Sequence, residues 1–231
     1  GYPVSGIVEE SEDSDLGYFI EKSLGESLFG QLFKSDFEQT GEVSDENFDL
    51  LIEESKKLLT AQIRNSIPDN KAEDTIKGVH LDWLVDELPE EKDRIEKRLG
   101  LALQRLKNFP FVFSHGDYNP YNTFPDGIID FEDGFYAPIL FDVYGLLVYP
   151  FHFPTKSEIE LEINGGYKYS EEQTKRYLDE MDKVLLENGL PRGSDFFEEI
   201  KFIKGIWLAV RMYKWPKMQQ YRYKIFKELL D

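Results

Sequence analysis

The chain contains no cysteine. That excludes disulfides, thiolate metal sites and a cysteine nucleophile together. Histidine is scarce as well: His80, His115 and His152 are too few for a histidine-rich metal cluster. No apolar run is long enough to span a bilayer. The opening stretch, GYPVSGIVEESEDSD, lacks the basic region and apolar core of a signal peptide. These absences fit a cytoplasmic protein. Positive charge is also short, with 27 Lys and Arg against 45 Asp and Glu, a net charge of -18. A field of that sign repels phosphate backbones, so nucleic acid is not expected as a partner, and no membrane is implied. It would favour cationic small molecules, although an acidic surface also simply keeps a protein in solution.

What is present is a globular composition. Hydrophobic residues make up 41% and charged residues 31% of 231 residues, enough to bury a real core. Residues 3–9 and 17–22 read as two short strands around the acidic turn ESEDSD, an antiparallel hairpin. SLGESLFGQLF turns at Gly25 and opens a short helix with Glu26 in its first turn. Ser44 or Asp45 can cap a helix whose apolar residues Phe48, Leu51, Ile52, Leu58 and Leu59 fall at helical spacing. SIPDNKAED reads as a loop, and Pro89 as the first residue of the next helix. Residues 110–135 differ: a strand, a loop, then a small hairpin turning at Asp126-Gly127. Helices follow over 139–149, 170–188, 194–214 and 218–230. The expected class is α+β, mainly helical, with a β insert that carries the chemistry, because loops placed by a rigid scaffold concentrate functional groups.

That insert reads Ser114-His115-Gly116-Asp117-Tyr118-Asn119-Pro120-Tyr121-Asn122, then Gly127-Ile128-Ile129-Asp130-Phe131-Glu132-Asp133. Phosphoryl transfer from a nucleotide requires little covalent chemistry from a protein. It requires a carboxylate to orient the attacking hydroxyl and oxygen ligands for magnesium. Asp117 and Asn122 are spaced so that one loop presents both, and Asp130 ends a hairpin that can fold back beside them. The protein-kinase counterpart is H-R-D-x-x-x-x-N followed by D-F-G; here it is H-G-D-x-x-x-x-N followed by D-F-E. Four such residues match by chance in about one chain in a thousand of this length. His115 reads as a structural residue that hydrogen-bonds loop backbone, Asn119-Pro120 as a turn, and Glu132 with Asp133 as either support for the site or a solvated turn.

The segment resembles the motif of the aminoglycoside phosphotransferase and choline kinase superfamily, whose fold is protein kinase-like. The resemblance implies that Asp117 is the catalytic base, that Asn122 and Asp130 hold magnesium, and that Asp142 matches the motif's last acid and supports the catalytic loop. Read from its position alone, Asp142 is equally an acid favoured at a helix start. Phe135-Tyr136-Ala137 departs from the family's small and acidic residues at that point. YFIEKSLGESL resembles the hinge strand and following helix, which implies that the backbone of Glu21, Lys22 and Ser23 bonds the adenine of ATP (or GTP).

With the hinge near residue 21, residues 1–23 are expected to be a remnant of the N-terminal lobe and 24–231 the helical catalytic lobe. No G-x-G-x-x-G is present. The chain alone is therefore expected to bind nucleotide poorly and to turn over slowly. The expected function is ATP-dependent phosphorylation of a hydroxyl on a small, amine-bearing alcohol. The alternative is a lobe-deficient relative that binds a small molecule or protein without catalysis. The amine rests on an aromatic wall over 132–153 and 200–223, including Tyr149, Phe153 and Trp207, which suits cation–π binding. Lys201, Lys204, Arg211, Lys214 and Lys217 read as a solvated face.

Overall fold

A computed structural model of the chain describes residues 2–4, 6–10, 19–156 and 158–230. It is a mainly helical α+β fold with three separate two-stranded antiparallel sheets. Among the described residues, no helix is long and apolar enough to cross a membrane.

β1 (Ile7–Glu10) and β2 (Phe19–Glu21) pair with Ile7 opposite Glu21 and Glu10 opposite Phe19. The acidic turn expected between them lies outside the described residues. The first helix, α1 (Phe29–Thr40), begins later than Gly25 implied, and Glu26 precedes it. The Leu28 N–H instead donates to Gln31 Oε1 at 3.1 Å, which satisfies one of the free donors at the helix start. Gly30 lets this helix lie against the HGD loop: a Cβ there would be 2.5 Å from the Tyr121 ring.

α2 (Asp45–Arg64) is capped by Ser44, whose hydroxyl accepts from the Asn47 N–H at 3.3 Å. Its apolar stripe of Phe48, Leu51, Ile52, Leu58 and Leu59 is buried, against α7 (Glu171–Glu187) in particular. The loop read over SIPDNKAED ends early, at the start of α3 (Ala72–Gly78), and a second short helix, α4 (Leu81–Glu87), follows in a stretch to which the sequence reading assigns no element. Helices of seven residues are marginal alone. α3 is held by tertiary contact, including the Thr75 hydroxyl donating to the Tyr136 carbonyl at 2.9 Å, and that partner could not be read locally. A 3-10 turn at Pro89–Glu91 leads into α5 (Lys92–Arg105).

β3 (Phe111–Ser114) pairs with β6 (Phe135–Pro138), with Phe111 opposite Pro138 and Ser114 opposite Phe135. Phe135-Tyr136-Ala137 is thus a strand that the motif comparison left unassigned. Between them, β4 (Thr123–Phe124) and β5 (Gly127–Ile128) form the expected hairpin, turning over Pro125-Asp126, one residue early. α6 (Phe141–Gly145) continues as a 3-10 segment, Leu146–His152. α8 (Phe197–Ala209) stops before 214, and a turn over 210–215 leads into α9 (Pro216–Glu228).

His152 lies in the core against α8, with a Cβ on Gly205 meeting its ring at 3.9 Å. Its Nδ1 lies 3.2 Å from the Val148 carbonyl, and Nε2 has no partner among the described residues. Burial first, and the Arg222 charge second, hold its pKa down from 6.5 to about 3. The unfolded chain therefore takes up this proton near pH 6.5, whereas the folded chain resists until about 3. The neutral imidazole's contribution is complete above 6.5 and lost as pH falls toward 3. Between pH 7 and 4.5, wild type should lose about 2–3 kcal/mol more stability in urea than His152→Leu. Equal losses in the two proteins would remove the assignment.

Candidate active site

β3 delivers the chain into the HGD loop at Ser114, and the first turn admits only glycine. Gly116 has φ +81, and a Cβ on it would lie 2.1 Å from the Asp133 carbonyl oxygen. The HGD loop and the loop after Asp130 therefore touch backbone to backbone.

One buried carboxylate fixes the loop from beneath. Asp142, at the start of α6 and 1% exposed, accepts four hydrogen bonds. Its Oδ1 accepts from the Ser114 hydroxyl at 2.7 Å and the Gly116 N–H at 3.2 Å. Its Oδ2 accepts from the His115 N–H at 2.8 Å and Gln62 Nε2 at 2.5 Å. From the other side, His115 Nε2 lies 2.7 Å from the Ile129 carbonyl. A carbonyl only accepts, so Nε2 carries the proton. The His115 ring sits 4.4 Å from that of Phe131. His115 thus fastens the loop to the residue immediately before Asp130.

Asp117 is half-buried and held by two amides. Asn119 Nδ2 donates to its Oδ1 at 2.9 Å, and Asn122 Nδ2 lies 3.3 Å from its Oδ2. Both amides also donate to the Asp117 carbonyl. Burial pushes the carboxyl above the usual carboxylate range; the Lys204 charge opposes this most strongly, followed by the Asn119 bond. The Asn122 carbonyl accepts the Ile129 N–H at 3.0 Å, which brings the hairpin back onto the loop. Asp130 follows with φ 68 and ψ 59, a left-handed conformation that L-residues other than Asn and Asp seldom adopt. Its side chain is exposed and makes no hydrogen bond or ion pair among the described residues.

The donor set fits magnesium. With its amide nitrogen turned to Asp117, Asn122 keeps its oxygen for a ligand, and Asp130 adds a free carboxylate. The described residues hold no cluster of three or more acidic or histidine ligands. Magnesium does not require one: it is usually held by one or two protein oxygens together with phosphates and water.

Glu21, Lys22 and Ser23 lie at the end of β2. Glu21 is opposite Ile7, the Lys22 N–H donates to the Gly6 carbonyl at 2.9 Å, and the Ser23 hydroxyl contacts Gly25. The link to the site runs through neighbouring chain: the Ile128 N–H donates to the Pro3 carbonyl at 2.8 Å, and Leu24 packs where a Cβ on Gly127 would stand. Glu132 is exposed. The contact falls instead to Asp133, which forms a two-pronged ion pair with Arg211, one prong at 2.9 Å.

That pair corrects part of the reading of the late cations as a solvated face: Lys214 and Lys217 are exposed, whereas Arg211 is half-buried and Lys204 is fully buried. Its ammonium donates to the Gly116 carbonyl at 2.6 Å and lies over the rings of Trp207 (4.4 Å) and Phe141 (4.6 Å). Burial lowers its pKa to about 8, against the pull of Asp117. Arg211 lies 4.5 Å from the Trp207 ring. Lys204 did leave a trace, as a lone lysine inside the apolar run Phe202-Ile203-Lys204-Gly205-Ile206-Trp207. Gln62, on the buried stripe of α2, left a similar one. Asp133 and Arg211 are 78 residues apart and left none.

The sequence model of the phosphotransferase enzyme family (APH) matches residues 51–180, more than half of the chain and the whole HGD-to-Asp142 region. The chain belongs to this family of phosphotransferases. No curated protein and no solved structure matches it.

Proposed function

We propose that this phosphotransferase moves the terminal phosphoryl group of ATP to a hydroxyl of a small molecule. In this reading Asp117 orients the hydroxyl and accepts its proton, while Asn122 and Asp130 hold magnesium. His115, Asp142 and Lys204 keep the loop in place, and the backbone at Glu21, Lys22 and Ser23 receives the adenine. The observation that carries it is the pair of bonds that closes the hairpin onto the HGD loop, Ile129 N–H to the Asn122 carbonyl and His115 Nε2 to the Ile129 carbonyl. They hold the residue before Asp130 against the loop that carries Asp117 and Asn122, which supports a shared site for the three oxygen-bearing side chains. Bound magnesium would neutralise charge on the nucleotide phosphates; orienting the acceptor falls to Asp117. Nothing in the site favours the non-catalytic alternative.

The test is calorimetry with ATP, with and without magnesium, on wild type and Asp130→Ala. Binding should require magnesium and weaken at least about tenfold in the variant, because alanine offers the ion no charged oxygen. Magnesium-independent binding, or equal affinity in the variant, would overturn the assignment.

The case for an amine-bearing acceptor weakens at two rings of the aromatic wall, because the protein's own cations lie on them: Lys204 and Arg211 over Trp207, and Arg222 over Phe153 at 4.2 Å. Tyr144 is buried and gives its hydroxyl to Asp182 at 2.7 Å. The wall that faces Asp117 is therefore positively charged, despite the acidic chain.

A further inference from the structure

Arg222, in the middle of α9, is fully buried. Its Nη1 donates to the Leu208 carbonyl at 2.5 Å, and the guanidinium lies on the Phe153 ring. Nε and Nη2 have no hydrogen-bond partner among the described residues. A guanidinium has five N–H donors, and leaving buried donors unpaired is costly, more so on a charged group. Acids are not in short supply, at 45 against 27 bases. Elsewhere the chain pairs its half-buried Arg211 with Asp133. Arg222 stands without such a partner.

A chain of rings links this guanidinium to the HGD loop. Phe153, beneath the guanidinium, stacks on Tyr149 at 4.4 Å between ring centres. Tyr149 in turn lies 6.5 Å from Tyr121, in the HGD loop. The Tyr149 hydroxyl is pushed up by burial and then by the Asp117 charge. Arg222 is itself within electrostatic reach of both Tyr149 and Asp117, while burial lowers its pKa to about 10. Asp117 makes no hydrogen bond to Arg222 among the described residues; its two oxygens face Asn119 and Asn122.

We propose that Arg222, beside Tyr149, binds a carboxylate on the acceptor, so that the acceptor is a short hydroxy acid with its hydroxyl at Asp117 and its carboxylate at Arg222. This rests on the reading of the site as a hydroxyl phosphotransferase. A planar guanidinium with two free donor groups matches a carboxylate in a way that an ammonium does not. A cationic group in that position would instead meet the unpaired Arg222 charge, and like charges brought together select against a wrong partner.

The experiment follows the Arg222 side-chain Nε–H by NMR in the full chain labelled with nitrogen-15 at arginine, the signal being assigned by its loss in Arg222→Lys. Glycerate, 4-hydroxybutyrate and gluconate are titrated in turn, then choline, with sulfate as a control for general anion effects. At least one hydroxy acid should shift the Arg222 signal saturably. Its affinity should fall at least tenfold in Arg222→Lys and Arg222→Gln, whichever retains the wild-type amide spectrum, and choline should leave the signal in place. No response to any hydroxy acid, an equal response to sulfate, or a saturable response to choline would overturn the proposal. ATP with magnesium, added to the same samples, separates the two readings. Magnesium-dependent nucleotide binding without an Arg222 response removes the hydroxy acid alone. An Arg222 response without nucleotide binding removes the phosphotransferase assignment.

Discussion

Replacing Asp142 with alanine should lower the stability of the chain by about 4 kcal/mol or more, among the largest effects of any single truncation. The carboxylate is 1% exposed and accepts from Gln62, Ser114, His115 and Gly116. Truncation strands four donors at once, two of them backbone N–H groups that cannot rotate away. Each buried donor left unpaired costs about 1–3 kcal/mol, and a charged acceptor makes the intact bonds stronger than average. Partial relaxation of the Ser114 hydroxyl and the Gln62 amide keeps the sum below its upper limit. Asp142→Asn should lose about half as much, because one oxygen keeps its two donors while the new amide nitrogen faces the other two. Urea unfolding gives the magnitudes, and amide hydrogen exchange at His115 and Gly116 gives the location. Asp142→Ala within about 1 kcal/mol of wild type would show that the loop is held by other means. Glu132→Ala, at an exposed position ten residues earlier, should stay within about 0.5 kcal/mol.

The sequence announced the proposed reacting groups more clearly than it announced what holds them. Asp117, Asn122 and Asp130 lie within fourteen positions of one another, so local spacing alone suggests a shared site. The hairpin that returns Asp130 to Asn122 was also legible, from turn residues between short apolar runs. Helices with a strong cap and stripe, such as the one after Ser44, could be placed to within about a residue. The supports were not legible, because they are long-range. Gln62 reaches Asp142 across 80 positions, and Lys204 reaches Gly116 across 88. A lysine in a helical pattern ordinarily signals a wet face; here an aromatic pair and a backbone carbonyl make burial tolerable for its charge. The same physics reversed the reading of the aromatic wall. Trp207 and Phe153 do offer faces to cations, as their chemistry suggests, but the cations come from the chain itself. β6 escaped notice for a different reason: its partner, β3, precedes it by 24 residues, and a four-residue strand has no periodicity long enough to read.

Asp117→Asn should reduce phosphoryl transfer by about a hundredfold to ten-thousandfold, the usual range for loss of a positioned general base, while leaving the chain folded and its nucleotide affinity within about threefold. The substitution is nearly isosteric. Asn119 can still donate to the remaining oxygen, as it does now at 2.9 Å. The new amide would face Asn122 Nδ2, already the longer contact at 3.3 Å, so the strain is local and weak. What disappears is the capacity to accept a proton and the negative charge that orients the hydroxyl. The rate should therefore fall through kcat, because the missing interaction strengthens as the hydroxyl loses its proton and matters little to ground-state binding. Asp130→Asn should behave differently, losing magnesium-dependent nucleotide affinity along with rate. Transfer from labelled ATP to an acceptor identified by the hydroxy-acid titration, together with calorimetry on each variant, separates the two residues. An Asp117→Asn protein that keeps more than about a tenth of wild-type kcat would show that the acceptor hydroxyl loses its proton elsewhere. Asp117 would then be an electrostatic anchor for the loop, and Lys204 beside it would be holding that anchor rather than a base.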